Sequence, residues 1–312
     1  LLSLSGGSLL LRHVSERVGA LSGVPTVQFV LTVLTFTTLV ALVNELVSLP
    51  FAYRGGFLLE RRYGLSSQSF GSWLLDQAKA LALTLVLGTL AACLLYALIA
   101  RFPDGWWLPA GLVFTLLIIG LANIAPLVLL PLFYSIKPLG RPSLRERLVA
   151  LGDRAGARVL DAYEWGLSEK TTKANAALTG IGTSRRILVS DTMLAQYSDE
   201  EIEVVLAHEL GHHVHGDIWK GLAFEALLIL AGFFAASLML RVSVPLLGLR
   251  GPDDLAGLPV LLLAAGAVSL LTLPVAHAMS RAHERRADHF ALSLTKNPPA
   301  FISAMKRLAQ QN

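Results

Sequence analysis

The sequence predicts a mainly α-helical, polytopic membrane protein with one compact polar α+β domain set between its spans. Three observations lead there. Of the 312 residues, 54% are hydrophobic and only 15% charged, against about 25% charged in an ordinary soluble domain. The apolar residues are bunched: no Asp, Glu, Lys or Arg occurs from Val18 to Asn44, Ala80 to Ala100, Gly105 to Ile136 or Leu255 to Ser280, and each run reaches the roughly 20 residues a spanning helix needs. The polar residues are bunched as well, chiefly over 143–220, where helical and strand-like patterns alternate.

In chain order, residues 1–26 are a Gly/Ser-containing lead-in that opens Leu1-Leu2-Ser3 without Met, as a fragment or a processed product would. Residues 27–142 hold the first three spans, with an amphipathic loop over 51–79. The third span is expected to end at Pro131, and Pro138 and Pro142 mark a linker. Within 143–220, Leu144 to Ala155 has helical spacing, while Arg158 to Tyr163 and Arg186 to Ser190 read as short strands. Asn175 to Gly180 is expected to be a third strand, at a sheet edge. Ser198-Asp199-Glu200-Glu201 is a capping box with acidic residues at the positive helix end, so a helix should run from Ser198 to about His215. Residues 221–280 hold spans four and five, the fourth resting on the shorter run Ala226 to Leu240, and 281–312 follows as a polar helical segment.

With five spans the connecting segments alternate sides. The N-terminus, 101–107 and 241–257 carry Arg12, Arg17, Arg101, Arg241 and Arg250, and the other side carries the remaining 21 of the 26 Lys and Arg residues. The positive-inside tendency therefore places 51–79, 133–220 and 281–312 in the cytoplasm, of a bacterial cytoplasmic membrane on this reading. The short segments alone, without the long 133–220 stretch, favour the same side. Cys93 is the only cysteine, so there is neither a disulfide framework nor a cysteine metal site. A net charge of +4 with no basic stripe and interleaved aromatics makes no case for nucleic acid.

The chemistry lies in His208-Glu209-Leu210-Gly211-His212 on the capped helix. Residues four apart share a helix face, so both imidazoles reach one ion, and the Glu beside the first His reaches water without ligating. His208 and His212 are thus expected zinc ligands and Glu209 the general base. A catalytic zinc keeps three protein ligands and one open position. A third His six residues after His212 is excluded, because that residue is Ile218. The best source is the cluster Ser280 to His289, where Glu284 ligates and Asp288, one turn on, accepts a hydrogen bond from a ligand imidazole N–H. His283, Asp288 and His289 are the alternatives for the third ligand, and His213 and His215 are expected not to ligate. Two spans separate His212 from Glu284, and an even number returns the chain to the same side.

With these residues assembled, the chain resembles the integral-membrane zinc metallopeptidases that include the type 1 CAAX prenyl endopeptidase and bacterial HtpX. The blocks that carry the resemblance are Phe57-Leu58-Leu59-Glu60 to Gly64; Ala125-Pro126-Leu127 with Pro131-Leu132-Phe133; Asn175-Ala176; Arg186-Ile187-Leu188-Val189-Ser190-Asp191-Thr192; the His208 motif; and Ser280-Arg281 with Glu284 and Ala287-Asp288. The first block is similar to the CAAX endopeptidase branch. The resemblance implies a zincin domain of the gluzincin type facing the cytoplasm, one Zn2+ per chain, and a peptide or protein substrate, lipidated or membrane-associated, beside the lipid bilayer. It also implies that Asn175 and Ala176 bind substrate backbone at an edge strand. The family's downstream His-Pro region would fall beyond Asn312 or be absent, and Gly64 to Ser69 match only loosely, which bears on prenyl recognition. Two other classes fit less well. A metal transporter needs ionisable residues within its spans, where only Glu45, Glu225 and His277 come near, and an intramembrane protease needs an apolar motif helix. Quality-control proteolysis of membrane proteins, of the HtpX kind, is the alternative enzyme reading.

Overall fold

The computed structural model describes residues 6–128, 130–180 and 185–311, with side chains except those of 123–131 and 311. The side chains of Ala125-Pro126-Leu127 and Pro131, together with Leu1 to Ser3 and Asn312, lie outside that description. The chain divides into two units, one formed by 1–54, 74–117 and 224–273, the other by 55–73, 118–223 and 274–312.

The first unit is helical. The lead-in carries α1 (Gly7–Gly19), joined by a short link to α2 (Pro25–Ala52). The helix α1 buries Ser8, Arg12, Ser15 and Gly19 along one face, and a side chain at Gly19 would collide with Thr32 of α2. Helix α2 does not stop where the loop over 51–79 was expected. It continues through π-helical Tyr53–Leu59, which contains Gly55 and Gly56, into α3 (Glu60–Arg62). Helix α4 follows (Phe70–Arg101), then α5 (Trp107–Val128). Thr37 and Thr89 share a 2.8 Å hydrogen bond between α2 and α4. The interior of this unit is built from Val33, Phe36, Tyr96, Ile99, Leu240 and Val260.

Four helical stretches among the described residues are long and apolar enough to cross a membrane: Pro25–Arg62, Phe70–Arg101, Asp217–Leu247 and Leu255–Thr295. Their most apolar windows have mean hydropathies of 2.0 to 2.3, yet no more than 28% of any window is buried by protein. Apolar surface of that extent needs lipid rather than water. The short run Ala226 to Leu240 lies inside a 31-residue helix that starts at Asp217. The stretch expected as the third span forms α5 (Trp107–Val128), apolar through Ala122, the last of its residues before the undescribed side chains.

The second unit mixes helix and sheet. After α6 (Leu130–Phe133) come β1 (Ile136–Pro138), α7 (Pro142–Arg154), β2 (Asp161–Trp165), β3 (Ala176–Thr179), β4 (Arg186–Ser190), α8 (Asp191–Gln196) and α9 (Asp199–Val214). The sheet order is β1-β2-β4-β3, with β2 and β4 parallel and both outer pairs antiparallel. Strand β3 is therefore an edge, as its sequence setting predicts. Strand β2 lies about three residues later than the patterning of 158–163 indicates. Its register comes from β4 on one side and from β1, which the sequence reading missed, on the other. Gly64 to Ser67 runs alongside 168–172: Thr172 N–H donates to the Leu65 carbonyl at 3.1 Å, and Ser67 N–H to the Lys170 carbonyl at 3.3 Å.

The core of this unit joins α7, α9 and the sheet through Leu144, Leu148, Ile187, Val189, Ile202 and Leu206. Helix α10 (Asp217–Leu247) follows α9, α11 (Leu258–Thr295) returns, and α12 (Pro298–Gln311) packs on α9. Glu201 ties that contact, accepting from Ser303 Oγ at 2.6 Å.

Candidate metal centre

Helix α9 is built as its sequence predicts. Glu201 N–H donates to Ser198 Oγ at 3.3 Å, and Ser198 N–H donates to Glu201 Oε2 at 2.9 Å, which completes the capping box. The helix ends at Gly216, whose φ of +66° suits glycine far better than any residue with a Cβ. That left-handed turn lets α10 start at once, and it carries Asp217 back beside His212.

The other half of the site comes from the last turns of α11. Gly211 sits where a side chain would lie 2.9 Å from Ala287 Cα and 3.2 Å from Phe290 Cβ. The missing side chain at Gly211 and the small one at Ala287 allow the two helix backbones to approach closely. The glycine inside the motif is thus a packing requirement, and the approach brings Glu284 and Asp288, on one face of α11, to the two histidines.

Ligand atoms of His208, His212 and Glu284 all lie within 4.8 Å of one another, the one such group of three among the described residues. The two Nε2 atoms are 3.2 Å apart, and Glu284 approaches His208 Nε2 at 3.2 Å and His212 Nε2 at 3.7 Å. Both Nδ1 atoms are spoken for. His208 Nδ1 lies 2.9 Å from Asp288 Oδ1 and His212 Nδ1 lies 3.1 Å from Asp217 Oδ2. An ionised carboxylate only accepts, so each Nδ1 carries a proton and donates. In the neutral imidazoles both Nε2 lone pairs then face each other and the Glu284 carboxylate. Three acceptor atoms at these separations form a set that a proton or a metal cation can bridge. Ligands at about 2.0–2.2 Å in tetrahedral array have edges near 3.4 Å, so the donor set, its spacing and its tautomers fit one zinc ion.

Asp217 is the residue sequence reasoning missed. Its side chain is 5% exposed and it also accepts from Arg286 at 2.7 Å. The signal was there: an acid five residues past His212, just across a glycine that reverses the chain. His283, an alternative third ligand, has its Nε2 3.6 Å from Asp217 rather than with the other two histidines. His215 Nδ1 lies 2.7 Å from the Gly211 carbonyl, and neither it nor His213 or His289 belongs to the convergent group. Burial and Arg185 hold the His213 imidazole below its ordinary range.

Glu209 is half-buried beside His208. Burial raises its carboxyl above the ordinary range, the Glu284 charge adds to this, and the two imidazoles oppose it. Asn175 is exposed at the entrance to β3, and Ala176 is buried as the first residue of that strand. Strand β3 packs against α9.

Residues 138–311 match peptidase family M48. The chain belongs to peptidase family M48. Residues 2–135 match the CAAX prenyl protease N-terminal region, described as five membrane helices. Together with the four apolar helices, this makes the chain an integral membrane protein. A protein named uncharacterized metalloprotease YhfN, from Bacillus subtilis (strain 168), is 34% identical over 278 residues, which cover 88% of this chain and 65% of that protein. CAAX prenyl protease 1 of Saccharomyces cerevisiae is 31% identical over 196 residues, 62% of this chain and 43% of the relative. The chain thus spans less than two thirds of the length of these two relatives. The crystal structure of S. mikatae Ste24p aligns with a TM-score of 0.77 at 25% identity, over 97% of this chain and 74% of that one. Family M48 is a metallopeptidase family, and His208, His212 and Glu284 are the residues here that fit the metal it implies.

Proposed function

We propose that this protein is a membrane-embedded zinc metalloendopeptidase of the CAAX prenyl protease type, hydrolysing peptide bonds of membrane-associated, lipidated substrates at the cytoplasmic face. The observation that carries the reading is the convergence of two imidazole Nε2 atoms and one carboxylate, with each Nδ1 held by its own aspartate. His208, His212 and Glu284 would hold one zinc ion per chain. When bound, zinc supplies Lewis acidity that makes water acidic near neutrality and polarises a carbonyl oxygen. Glu209 accepts the proton of the attacking water and delivers it to the departing amine. Asp288 and Asp217 fix the imidazole tautomers, so that Nε2 and not Nδ1 faces the metal. Asn175 and Ala176, at the open edge of the sheet, line up the substrate backbone. The match over residues 2–135 and the names of the relatives support the CAAX type over general quality control.

The test is Glu209→Gln. Zinc content should stay at the wild-type level while peptide cleavage falls about 10²- to 10⁴-fold; near-normal cleavage by a zinc-loaded variant would end the mechanism. Comparing farnesylated and unmodified peptides separates the prenyl-directed reading from a general one. The orientation follows from the Lys and Arg distribution. A Cys at Glu169, after Cys93→Ala, should react with an impermeant thiol reagent only once the membrane is opened.

A further inference from the structure

Strand β3 pairs with β4 on one side, and among the described residues no strand pairs with its outer edge. In an antiparallel pair the backbone groups of successive residues alternate between facing the partner and facing away. Asn175 faces β4 with both of its groups: its carbonyl accepts from Ser190 N–H at 2.9 Å, and its N–H donates to Ser190 Oγ at 2.9 Å. The register then sets Ala176 against Val189, Ala177 against Leu188, Leu178 against Ile187 and Thr179 against Arg186. Alternation from Asn175 turns Ala177 and Thr179 inward. It leaves the N–H and C=O of Ala176 and Leu178 on the open edge.

The start of this register depends on two buried hydroxyls. Ser190 is both the last residue of β4 and the cap of α8, and its Oγ also accepts from Met193 N–H at 3.1 Å. Because the chain turns into α8 at this point, the Ser190 side chain receives the Asn175 N–H. Thr192 Oγ1 lies 2.9 Å from Ser190 Oγ and donates to the Lys173 carbonyl at 2.8 Å. Ser190 is 0% and Thr192 6% exposed. Besides the α8 cap, their hydroxyls fix the path of 173–175.

We infer that Ser190 and Thr192 are positioning residues for an extended peptide substrate, holding Asn175 in register so that Ala176 and Leu178 present their backbone groups to the substrate backbone. The inference rests on the proteolytic reading above. It also assigns Asn175 a contact through its exposed side chain alone, since its backbone is consumed by Ser190. Ala176 takes the opposite part, with its side chain buried and its backbone offered.

The experiment uses the full chain and a fluorogenic extended peptide, with analogues N-methylated at one amide at a time. Wild type should show a raised KM for the analogues methylated at the amides that face Ala176 and Leu178. Thr192→Val, which keeps the volume, should raise KM for the unmodified peptide about five- to tenfold with kcat nearly unchanged, and it should shrink the methylation penalty. Thr192→Ser should restore both. Ser190→Ala should act in the same direction, with zinc content and melting temperature showing that it remains folded. A folded, zinc-loaded Thr192→Val with wild-type KM, or a raised KM with an undiminished methylation penalty, overturns this inference alone. A wild-type chain that cleaves no peptide overturns the proteolytic reading, and this inference with it.

Discussion

Each unit clusters ionisable side chains, buried in the helical unit and reaching an exposed Glu284 in the mixed one, and the two handle them in opposite ways. In the helical unit Arg12 meets Asp254 directly, with their side chains 8% and 1% exposed. Asp254 is further satisfied by the N–H groups of Arg250 at 2.9 Å and Ala256 at 3.0 Å, and Arg250 reaches on to Glu16. Positive and negative groups are matched within the protein. In the mixed unit His208, His212 and Glu284 bring three electron-rich atoms together with no cation of the protein's own among them, while the nearby Arg286 is engaged by Asp217. A closed assembly of charge holds helices in place. An open one, whose donors are held apart by their own hydrogen bonds, is preorganised for something that arrives from solution.

That comparison breaks if the open assembly does without a metal. His208→Ala and Glu284→Ala should each lose most of the bound zinc, measured by elemental analysis of purified protein, and cleavage should disappear with it. His283→Ala should keep its zinc. If only His283→Ala lost the metal, the third ligand would be misassigned.

The closed assembly should show up in stability instead. Asp254→Ala strands a buried guanidinium, and an orphaned partner of a buried pair costs about 3–5 kcal/mol. Its melting temperature should fall sharply while zinc per folded chain stays unchanged. Replacing both partners by apolar residues, Arg12→Met with Asp254→Leu, should recover much of the loss. A fall in zinc content alongside the melting temperature would mean that the two assemblies are not independent.

Next in size are the aspartates behind the histidines. Asp217→Asn and Asp288→Asn replace a carboxylate acceptor by an amide, and each should weaken zinc binding about 10- to 100-fold in a chelator competition. Equal zinc affinity in Asp217→Asn would reduce the contact with His212 to a bystander.

Asp191 offers the smallest effect and a third way to satisfy a carboxylate. Burial raises its pKa, but hydrogen bonds from the Ser168 hydroxyl and from the N–H groups of Leu167, Ser168 and Thr192 outweigh that and leave it below the ordinary value of 3.8. A carboxyl whose folded pKa is depressed stabilises the fold above its unfolded pKa, and it loses that contribution as pH falls through the folded value. Asp191→Asn should therefore melt below wild type at neutral pH, by an amount worth about 1 kcal/mol or less. The gap should close as pH drops below about 4. A constant gap across that range would remove the electrostatic part of the explanation.

Much of the fold and of the site could be read from local patterns. The charge-free runs mark helices because a bilayer demands unbroken apolar length, and α9 could be placed from its capping box because that signal lies within four residues. His208, Glu209 and His212 share a helix turn, so their spacing alone brings them together. Local patterns failed elsewhere. The segment 51–79 reads as an amphipathic loop, but residues 53–62 instead continue α2 through π-helical turns. The place of β2 depends on β1 and β4, neither of which is visible from residues 158–165.

By itself the sequence determined which segments are apolar enough to span, which helix carries His208, Glu209 and His212, and that any third group to join the two histidines had to come from a distant polar cluster. Those are matters of period and length, which neighbouring residues settle among themselves. Tertiary structure decided the rest. Glu284, which the sequence favoured over His283, Asp288 and His289, stands with the two histidines, and Asp288 and Asp217 face separate ones, because Gly211 lets α11 approach α9 and Gly216 turns the chain back on itself. The distances on which the chemistry depends arise where two helices meet, and no residue on either helix encodes them alone.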